Sequence, residues 1–535
     1  MSIVDDRFVY HCIRRFFQVC AISFYSSFDV RGLENLPAEG EPTLLCFNHG
    51  NSLTDSVVLI SQTPRVIRFC AKNTLWDMPV VGSLIKGSGA VPVFRRREHG
   101  DKATEFNVDT FKAVYGALAK GNCVGFSPEG ASSFRSEAFK FKDGVAYIAL
   151  EAVEQALARG DKDFKINIVP AVMVWTHREK FRSDVMLRYR PPIVVDASYV
   201  KPGVPHKQAA KEIIAMLEAE YHENILSAPD WQAARLAIAA TRIQRPLGTF
   251  MSLSTYMYFL RGWMQIFKMP AETPLKPLAR ETAKRIESVA AATGSEAKDA
   301  RTVGEVLASL HEYQKMLELV KVKDDRIRRI EMNGGVRPSM MRCLRIIAYR
   351  MTLCSTLFTV AAPGLAIWSP VWFLIKRKER SLLSKGVGWV DSVAENKMIV
   401  GFFGLLTMGV LFNVAAPVVF LYLWLTMRLY EEAVASARSI CGIYRLMVIS
   451  GRDLRKLLAL RLRAKWHVLQ AVSLFPKSSA DRIMEECGDD VYADKSTEDV
   501  GRPRWWTNFN PMRRRKKDWN EVLRLMDHAT MDYVE

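Results

Sequence analysis

Thr43-Leu44-Leu45-Cys46-Phe47-Asn48-His49-Gly50-Asn51-Ser52-Leu53-Thr54-Asp55 joins an apolar run of strand length to a polar loop and then to a helix start. A histidine at the end of such a run, with an acid close behind, reads as a general base with its orienting partner. The carboxylate keeps one ring nitrogen protonated, so the other can take a proton from a hydroxyl. On one continuous helix two residues six positions apart diverge by about 120°. His49 is therefore expected in the loop and Asp55 in the first helical turn, with Ser52 as N-cap and the helix dipole favouring the carboxylate. The same residues admit a plainer reading, in which Asp55 is only a first-turn acid and His49 only a loop histidine.

Short apolar runs alternate with helical periods from Thr43 to about His222. The runs are Thr43–Phe47, 66–70, 90–93, Cys123–Phe126, 166–174 and 185–189, and the helices between them include 101–120 and Gly144–Ala158. That alternation predicts an α/β domain built on a mixed sheet. Three further motifs fall at strand ends, where open α/β sheets place their sites. Gly89-Ala90-Val91-Pro92-Val93-Phe94-Arg95 is a short strand delivering an arginine. Phe126-Ser127-Pro128-Glu129-Gly130 is a turn after Cys123-Val124-Gly125, and Ile168-Val169-Pro170-Ala171-Val172 lies inside a strand.

The 535 residues carry a formal charge of +18 with pI near 9.5, which implies an anionic partner: lipid, phosphorylated substrate or nucleic acid. Basic residues are spread rather than interleaved with aromatics, and no nucleic-acid fold signature is present, so nucleic acid is set aside. Nine scattered cysteines show neither Cys-x-x-Cys pairs nor His/Cys metal spacing, which fits a reducing compartment and argues against disulfides and zinc. No cleavable signal is expected. The aromatic-rich residues 8–28 are interrupted by Arg14-Arg15 and read either as an interfacial amphipathic helix or as a helix packed on the domain. The C-terminal Asp532-Tyr533-Val534-Glu535 is not a peroxisomal tripeptide.

Taken in order, the His–Asp element, Arg95, Ser127-Pro128-Glu129-Gly130 and the Pro170 segment resemble the four blocks of the glycerolipid acyltransferase family. Phe141-Lys142-Asp143-Gly144-Val145-Ala146, the run Trp175-Thr176-His177-Arg178-Glu179-Lys180-Phe181-Arg182-Ser183, Ala240-Thr241-Arg242 and residues 317–325 narrow the resemblance. They are similar to fungal-type glycerol-3-phosphate/dihydroxyacetone-phosphate acyltransferases, over about residues 1 to 475. Two departures stand out. Five residues separate His49 from Asp55 where the best-known members have four, a longer spacing the fungal-type branch shares. The Pro-Glu-Gly block continues Ala131-Ser132-Ser133-Phe134-Arg135 without an arginine directly after the Thr-like position, leaving Arg135 as a substitute phosphate contact.

The resemblance implies acyl transfer from acyl-CoA, a co-substrate, to a small phosphorylated acceptor, with no cofactor and no metal. His49 is the expected base and Asp55 its partner. Arg95 is the first choice for the acceptor phosphate, with Glu129, Gly130 and Asn51 at the acceptor-binding loops. Arg135, Lys140, Lys142, Lys180 and Arg182 are further phosphate candidates, and Pro170 is expected to shape the acyl channel. The acceptor is expected to be glycerol 3-phosphate, with dihydroxyacetone phosphate, lysophosphatidate or a lysophospholipid as alternatives. A non-catalytic membrane scaffold on the same fold is the reading from another class.

The expected organisation is an interfacial helix at 1–30, an acyltransferase domain at 31–230 and a helical subdomain at 231–338. Membrane segments follow at 339–430, then a basic amphipathic helix and membrane-surface tail at 431–535. Residues 351–375 and 398–427 are uncharged, and 25 residues at ~1.5 Å each reach about 37 Å, enough to cross a bilayer. Basic residues flank both segments on every side, which two single spans do not explain. Pro363-Gly364 and residues 413–417 lie near their middles, so two re-entrant hairpins bent there are expected, with two ordinary spans as the alternative. The tail, with Trp505-Trp506 and Arg513-Arg514-Arg515-Lys516-Lys517, reads as attracted to anionic headgroups or as solvated and disordered. The expected site is the endoplasmic reticulum membrane, with the catalytic domain facing the cytosol.

Overall fold

The computed structural model describes residues 7–77, 81–94, 99–100, 102–132, 134–181, 183–200, 205–244, 253–277, 299–332, 334–411 and 417–475. The chain divides into two units. The first comprises residues 1–225 and 375–402, the second 226–374 and 403–535.

The first unit is built on an eight-stranded mixed sheet. Its strands are β1 (Ser27–Arg31), β2 (Thr43–Phe47), β3 (Ile67–Lys72), β4 (Val91–Val93), β5 (Cys123–Phe126), β6 (Ile166–Trp175), β7 (Asp184–Tyr189) and β8 (Ile193–Val195), in spatial order β1-β7-β6-β2-β5-β3-β4, with β8 also on β6. All pairings are parallel except those of β6 with β7 and β8. The mixed sheet matches the pattern expected from the alternating runs. Two short strands, β1 and β8, were not legible. The sheet's first strand, β1, falls across the expected start of the domain at residue 31.

Strand β2 lies between β5 and β6, and every residue in it is buried. That explains its continuous apolar run, since a parallel strand covered on both faces has no polar side to show. One face packs with Val169, Ala171, Met173 and Trp175 of β6, and with helix α1 (Arg7–Phe24) and helix α2 (Leu53–Gln62). Helix α1 is amphipathic and packed: Tyr10, Ile13, Ala21 and Phe24 are buried, while Phe8, Val19 and Ile22 are exposed. Helix α3 (Val81–Gly87) leads into β4, and helices α4 (Lys102–Ala119), α5 (Gly144–Ala158) and α6 (Lys207–Asn224) complete the layer.

Pro170 sits in β6, a strand paired on both edges, where the missing N–H would ordinarily break a ladder. On one edge, β6 pairs with β8 through Ile168 and with β7 only from Ala171. The Pro170 carbonyl points to that edge, accepting from Arg190 N–H at 2.9 Å, so the proline ring faces the gap between the two pairings. There it removes no ladder bond.

In the second unit, helices α7 (Trp231–Gln244), α8 (Leu253–Ile266), α9 (Val303–Val320) and α10 (Asp324–Met332) surround a buried core that includes Trp263 and Tyr313. Arg461, 2% exposed, pairs with Asp324 at 2.9 Å and with Glu331, and Tyr313 donates to Asp324 at 2.6 Å. The helical subdomain thus contributes to a buried ionic centre.

Helix α11 (Met340–Leu383) contains the first apolar segment and is mostly exposed; helices α12 (Val393–Leu411), α13 (Pro417–Val448) and α14 (Gly451–Ala471) follow. Among the described residues α11 is the one helix long and apolar enough to cross a membrane, and α13 and α14 meet at 110°. The bend expected at Pro363-Gly364 is absent, because α11 runs through both Pro363 and Pro370. A hydroxyl repairs the ladder there. Tyr422 OH accepts from Gly364 N–H at 3.3 Å and donates to Val360 O at 3.0 Å, bridging the 364-to-360 bond that the proline opens. Of the breaker expected at 413–417, residues 413–416 lie outside the described residues and Pro417 begins α13; the basic tail also lies outside them.

Candidate active site

The loops after β2, β5 and β6 meet at the carboxyl ends of these adjacent strands. Asn48 closes the first loop onto the sheet: its side chain donates to Met173 O at 2.9 Å and accepts from Met173 N–H at 2.7 Å, continuing the β2–β6 ladder for one residue. His49 then turns back. Its Nδ1 lies 2.7 Å from Asp55 Oδ2, as expected for a base and its orienting acid, with the imidazole 25% exposed and Asp55 fully buried. Asp55 is the third residue of α2, as the reading of this stretch required.

The expected Ser52 cap is not made. Ser52 adopts φ 49°, ψ −135°, a strained conformation for a residue with a Cβ, and its hydroxyl makes no cap bond. The chain has to reverse there to bring His49 over Asp55, which turns the serine side chain away. Asp55 reaches back from the first turn of α2 to the loop, accepting from Asn51 N–H at 3.0 Å.

Glu129 has a partner in the loop that carries His49. Ser127–Gly130 forms a turn closed by Gly130 N–H to Ser127 O at 3.2 Å, with Gly130 at φ +73°, and Glu129 is buried beneath it. One Glu129 oxygen accepts the backbone N–H of His49 at 3.1 Å, so this carboxylate holds the His49 backbone in place. The Lys142 ammonium lies over Gly130, 2.6 Å from where a Cβ would stand. Asn51 donates to Tyr25 OH and to Arg178 O, each at 3.1 Å, and so ties the catalytic loop to the β6–β7 loop.

Arg178 was quoted in the sequence but given no role there. Its guanidinium lies against Gly50, with Nη1 3.4 Å from Gly50 O and 3.0 Å from the position of a Cβ on Gly50. Gly50 is thus small because an arginine occupies its side. Phe134 flanks the same guanidinium at 5.5 Å. Burial lowers the Arg178 pKa, opposed by Asp55, Glu129, Glu179 and Asp391.

The remaining candidates are spread out. Arg135 is exposed and stacks on Phe139 at 4.7 Å. Lys140 is exposed and Lys180 half-buried. Pro170 occupies its strand gap, on the side of β2 opposite the core that holds Val169 and Ala171. Arg95 and Arg182 lie outside the described residues. The preceding strand β4 ends at Val93 on the sheet edge, three strands from β2.

The imidazole is tuned by its surroundings. Burial, the largest influence, lowers its pKa, but the hydrogen bond and charge of Asp55, together with Glu129 and Asp391, outweigh it and hold the pKa above the ordinary histidine value. Burial also pushes the Asp55 carboxyl up, against the pull of His49 and Asn51 N–H. A neutral imidazole that donates from Nδ1 to Asp55 has Nε2 as its acceptor.

Residues 27–174 match the family model described as Acyltransferase, and residues 279–385 match that of the Glycerol-3-phosphate acyltransferase 2 C-terminal domain. The chain is 26% identical over 311 residues to glycerol-3-phosphate O-acyltransferase 2 of Saccharomyces cerevisiae, covering 55% of this chain and 36% of the yeast protein. It is 26% identical over 302 residues to glycerol-3-phosphate O-acyltransferase 1 of the same yeast, covering 54% and 35%. The Arabidopsis thaliana chloroplastic 1-acyl-sn-glycerol-3-phosphate acyltransferase LPAT1 is 29% identical over 140 residues, 26% of this chain and 37% of that protein. The chain thus spans about a third of the length of each curated relative. Strands β1 to β5, nearly all of β6, the His49–Asp55 pair and the turn at Glu129 fall within the first matched segment: this chain carries an acyltransferase domain, followed by a segment similar to the C-terminal domain of glycerol-3-phosphate acyltransferase 2.

Proposed function

We propose that the protein transfers an acyl group from acyl-CoA to the sn-1 hydroxyl of glycerol 3-phosphate, giving lysophosphatidate. The observation that carries this reading is the 2.7 Å contact of His49 Nδ1 with buried Asp55, which leaves Nε2 of a partly exposed imidazole as the ring nitrogen that Asp55 does not engage. His49 takes the proton of the acceptor hydroxyl as that oxygen attacks the thioester carbonyl. Asp55 holds the tautomer and stabilises the imidazolium that forms. The imidazolium then protonates the leaving thiolate, so CoA departs as the thiol. Neither Ser52 nor Ser127 is partnered with a base, which favours direct transfer over an acyl-enzyme.

The acceptor phosphate needs fixed cations, and planar guanidinium groups bind it bidentately. Arg95 remains the proposal from resemblance. Arg178 is added because it is held within one residue of His49, and Lys142 because it lies over Gly130. The similarity to the yeast glycerol-3-phosphate O-acyltransferases favours glycerol 3-phosphate, and that to the plant 1-acyl-sn-glycerol-3-phosphate acyltransferase favours 1-acylglycerol 3-phosphate as the second reading. The proposed setting is a cytosol-facing membrane surface of the endoplasmic reticulum, with α11 in contact with lipid.

Purified protein supplied with acyl-CoA and radiolabelled glycerol 3-phosphate, dihydroxyacetone phosphate or lysophosphatidate in parallel separates these acceptors. Fastest turnover, by kcat/KM, with glycerol 3-phosphate supports the proposal. Turnover of lysophosphatidate alone replaces it with the second reading.

A further inference from the structure

Residues 375–402 belong to the first unit although about 150 residues separate them from the rest of it. They lie between the two uncharged stretches, where the sequence suggests only a connecting loop. Val390, Val393 and Ala394 are buried, and Ala394 shares the core of Leu45, Phe47 and Trp175. Phe402 packs edge-on against Phe16 of α1 at 4.8 Å.

Three polar arms leave this segment, each toward a different site loop. Asp391, 5% exposed, accepts from the Ser132 hydroxyl, three residues beyond Glu129. Glu395 Oε2 lies 3.5 Å from the N–H of Leu53, the first residue of α2 and two before Asp55. Lys397 donates to Glu179 O at 2.8 Å, next to the Arg178 carbonyl that anchors Asn51, and its ammonium is itself pinned by Glu379 at 2.6 Å. Each arm thus ends within three residues of a group that touches the His49–Asp55 pair or its loop.

We propose that residues 390–397 are a strap that completes the active site: Asp391, Glu395 and Lys397 are positioning residues that fix the three catalytic loops relative to one another. This rests on the reading of His49 as the base. A strap of this kind leaves an electrostatic mark, because the Asp391 carboxylate adds to Asp55 and Glu129 in stabilising the imidazolium, while the Arg178 guanidinium also sits among these carboxylates.

The full-length protein and the variants Asp391→Asn, Asp391→Ala, Ser132→Ala and Lys397→Met test it. Carbethoxylation of His49 by diethyl pyrocarbonate, followed by peptide mass spectrometry across pH, reports the imidazole midpoint without any turnover. Kinetics with acyl-CoA and glycerol 3-phosphate report the rest. Asp391→Asn keeps an acceptor for Ser132 but loses the charge, so the midpoint and the acid limb of kcat/KM both move to lower pH. Asp391→Ala and Lys397→Met lower kcat by about tenfold or more, with KM changed far less, as expected for misplaced catalytic groups. Should Asp391→Ala not fold, Asp391→Asn and Lys397→Met decide the matter. An unmoved midpoint together with unchanged kcat in folded variants overturns the strap. A moved midpoint in a protein that acylates no glycerol 3-phosphate supports the strap and overturns the functional reading.

Discussion

At the scale of single residues, the proposed chemistry rests on His49, whose ring meets the Asp55 carboxylate and whose backbone N–H is held by Glu129. His49→Ala is expected to reduce transfer by about 10²–10⁴-fold with folding intact, because general base catalysis supplies roughly that factor; steady-state assays and thermal melting check both halves. The pH dependence has a defined sign. A base must be unprotonated, and His49 is held above the ordinary histidine value of 6.5. Activity therefore falls as pH drops through that raised value, and kcat/KM should show an acid limb centred above 6.5. His49 and Asp55 were readable from the sequence because strand, loop and acid are local. Arg178 and the backbone role of Glu129 were not, since each meets His49 or Gly50 across roughly 80 to 130 positions.

Elements impose their own tests. The turn at Gly130 uses a positive φ, with the Lys142 ammonium where a Cβ would stand. Gly130→Ala should cost about 1–2 kcal/mol in backbone strain and loosen the hold on His49, lowering kcat as well as the melting temperature. In α11 the sequence signal was misread for a physical reason. A proline in an apolar helix usually marks a bend or break, but here α11 continues through it, with Tyr422 OH bonded across the opening and Gly364 seated closely against Thr426. Tyr422→Phe should weaken that helix pair by about 1–3 kcal/mol, the cost of leaving polar backbone unpaired, read by limited proteolysis near Pro363. In the second unit, Arg461→Ala should destabilise by about 3–5 kcal/mol, since it strands Asp324 and Glu331 as buried acids; denaturant melts report it.

For the molecule as a whole, the path of the chain constrains the membrane arrangement. The chain leaves the acyltransferase unit after Ile225 and rejoins it at Ile375, so any membrane must be crossed an even number of times between them. Among the described residues α11, which runs across that junction, is the one helix with the length and apolarity to cross, and one crossing by it alone would put the residues after it on the side opposite the sheet. A single cysteine placed at Lys385, in an otherwise cysteine-free background, should therefore react with an impermeant thiol reagent from the same side as one placed at exposed Glu154. Labelling from opposite sides would separate the strap from the site.

The sequence alone determined the strand–loop–helix bearing His49 and Asp55, the alternation that builds the mixed sheet, and the apolar stretches. These are properties of periodicity and short spacing, which neighbouring residues carry by themselves. Tertiary structure decided which distant groups complete the site: Glu129 on the His49 backbone, Arg178 against Gly50, and residues 390–397 across the loops. Such meetings depend on how strands order themselves in a sheet and where the chain returns, and no local pattern encodes a partner more than 300 residues away.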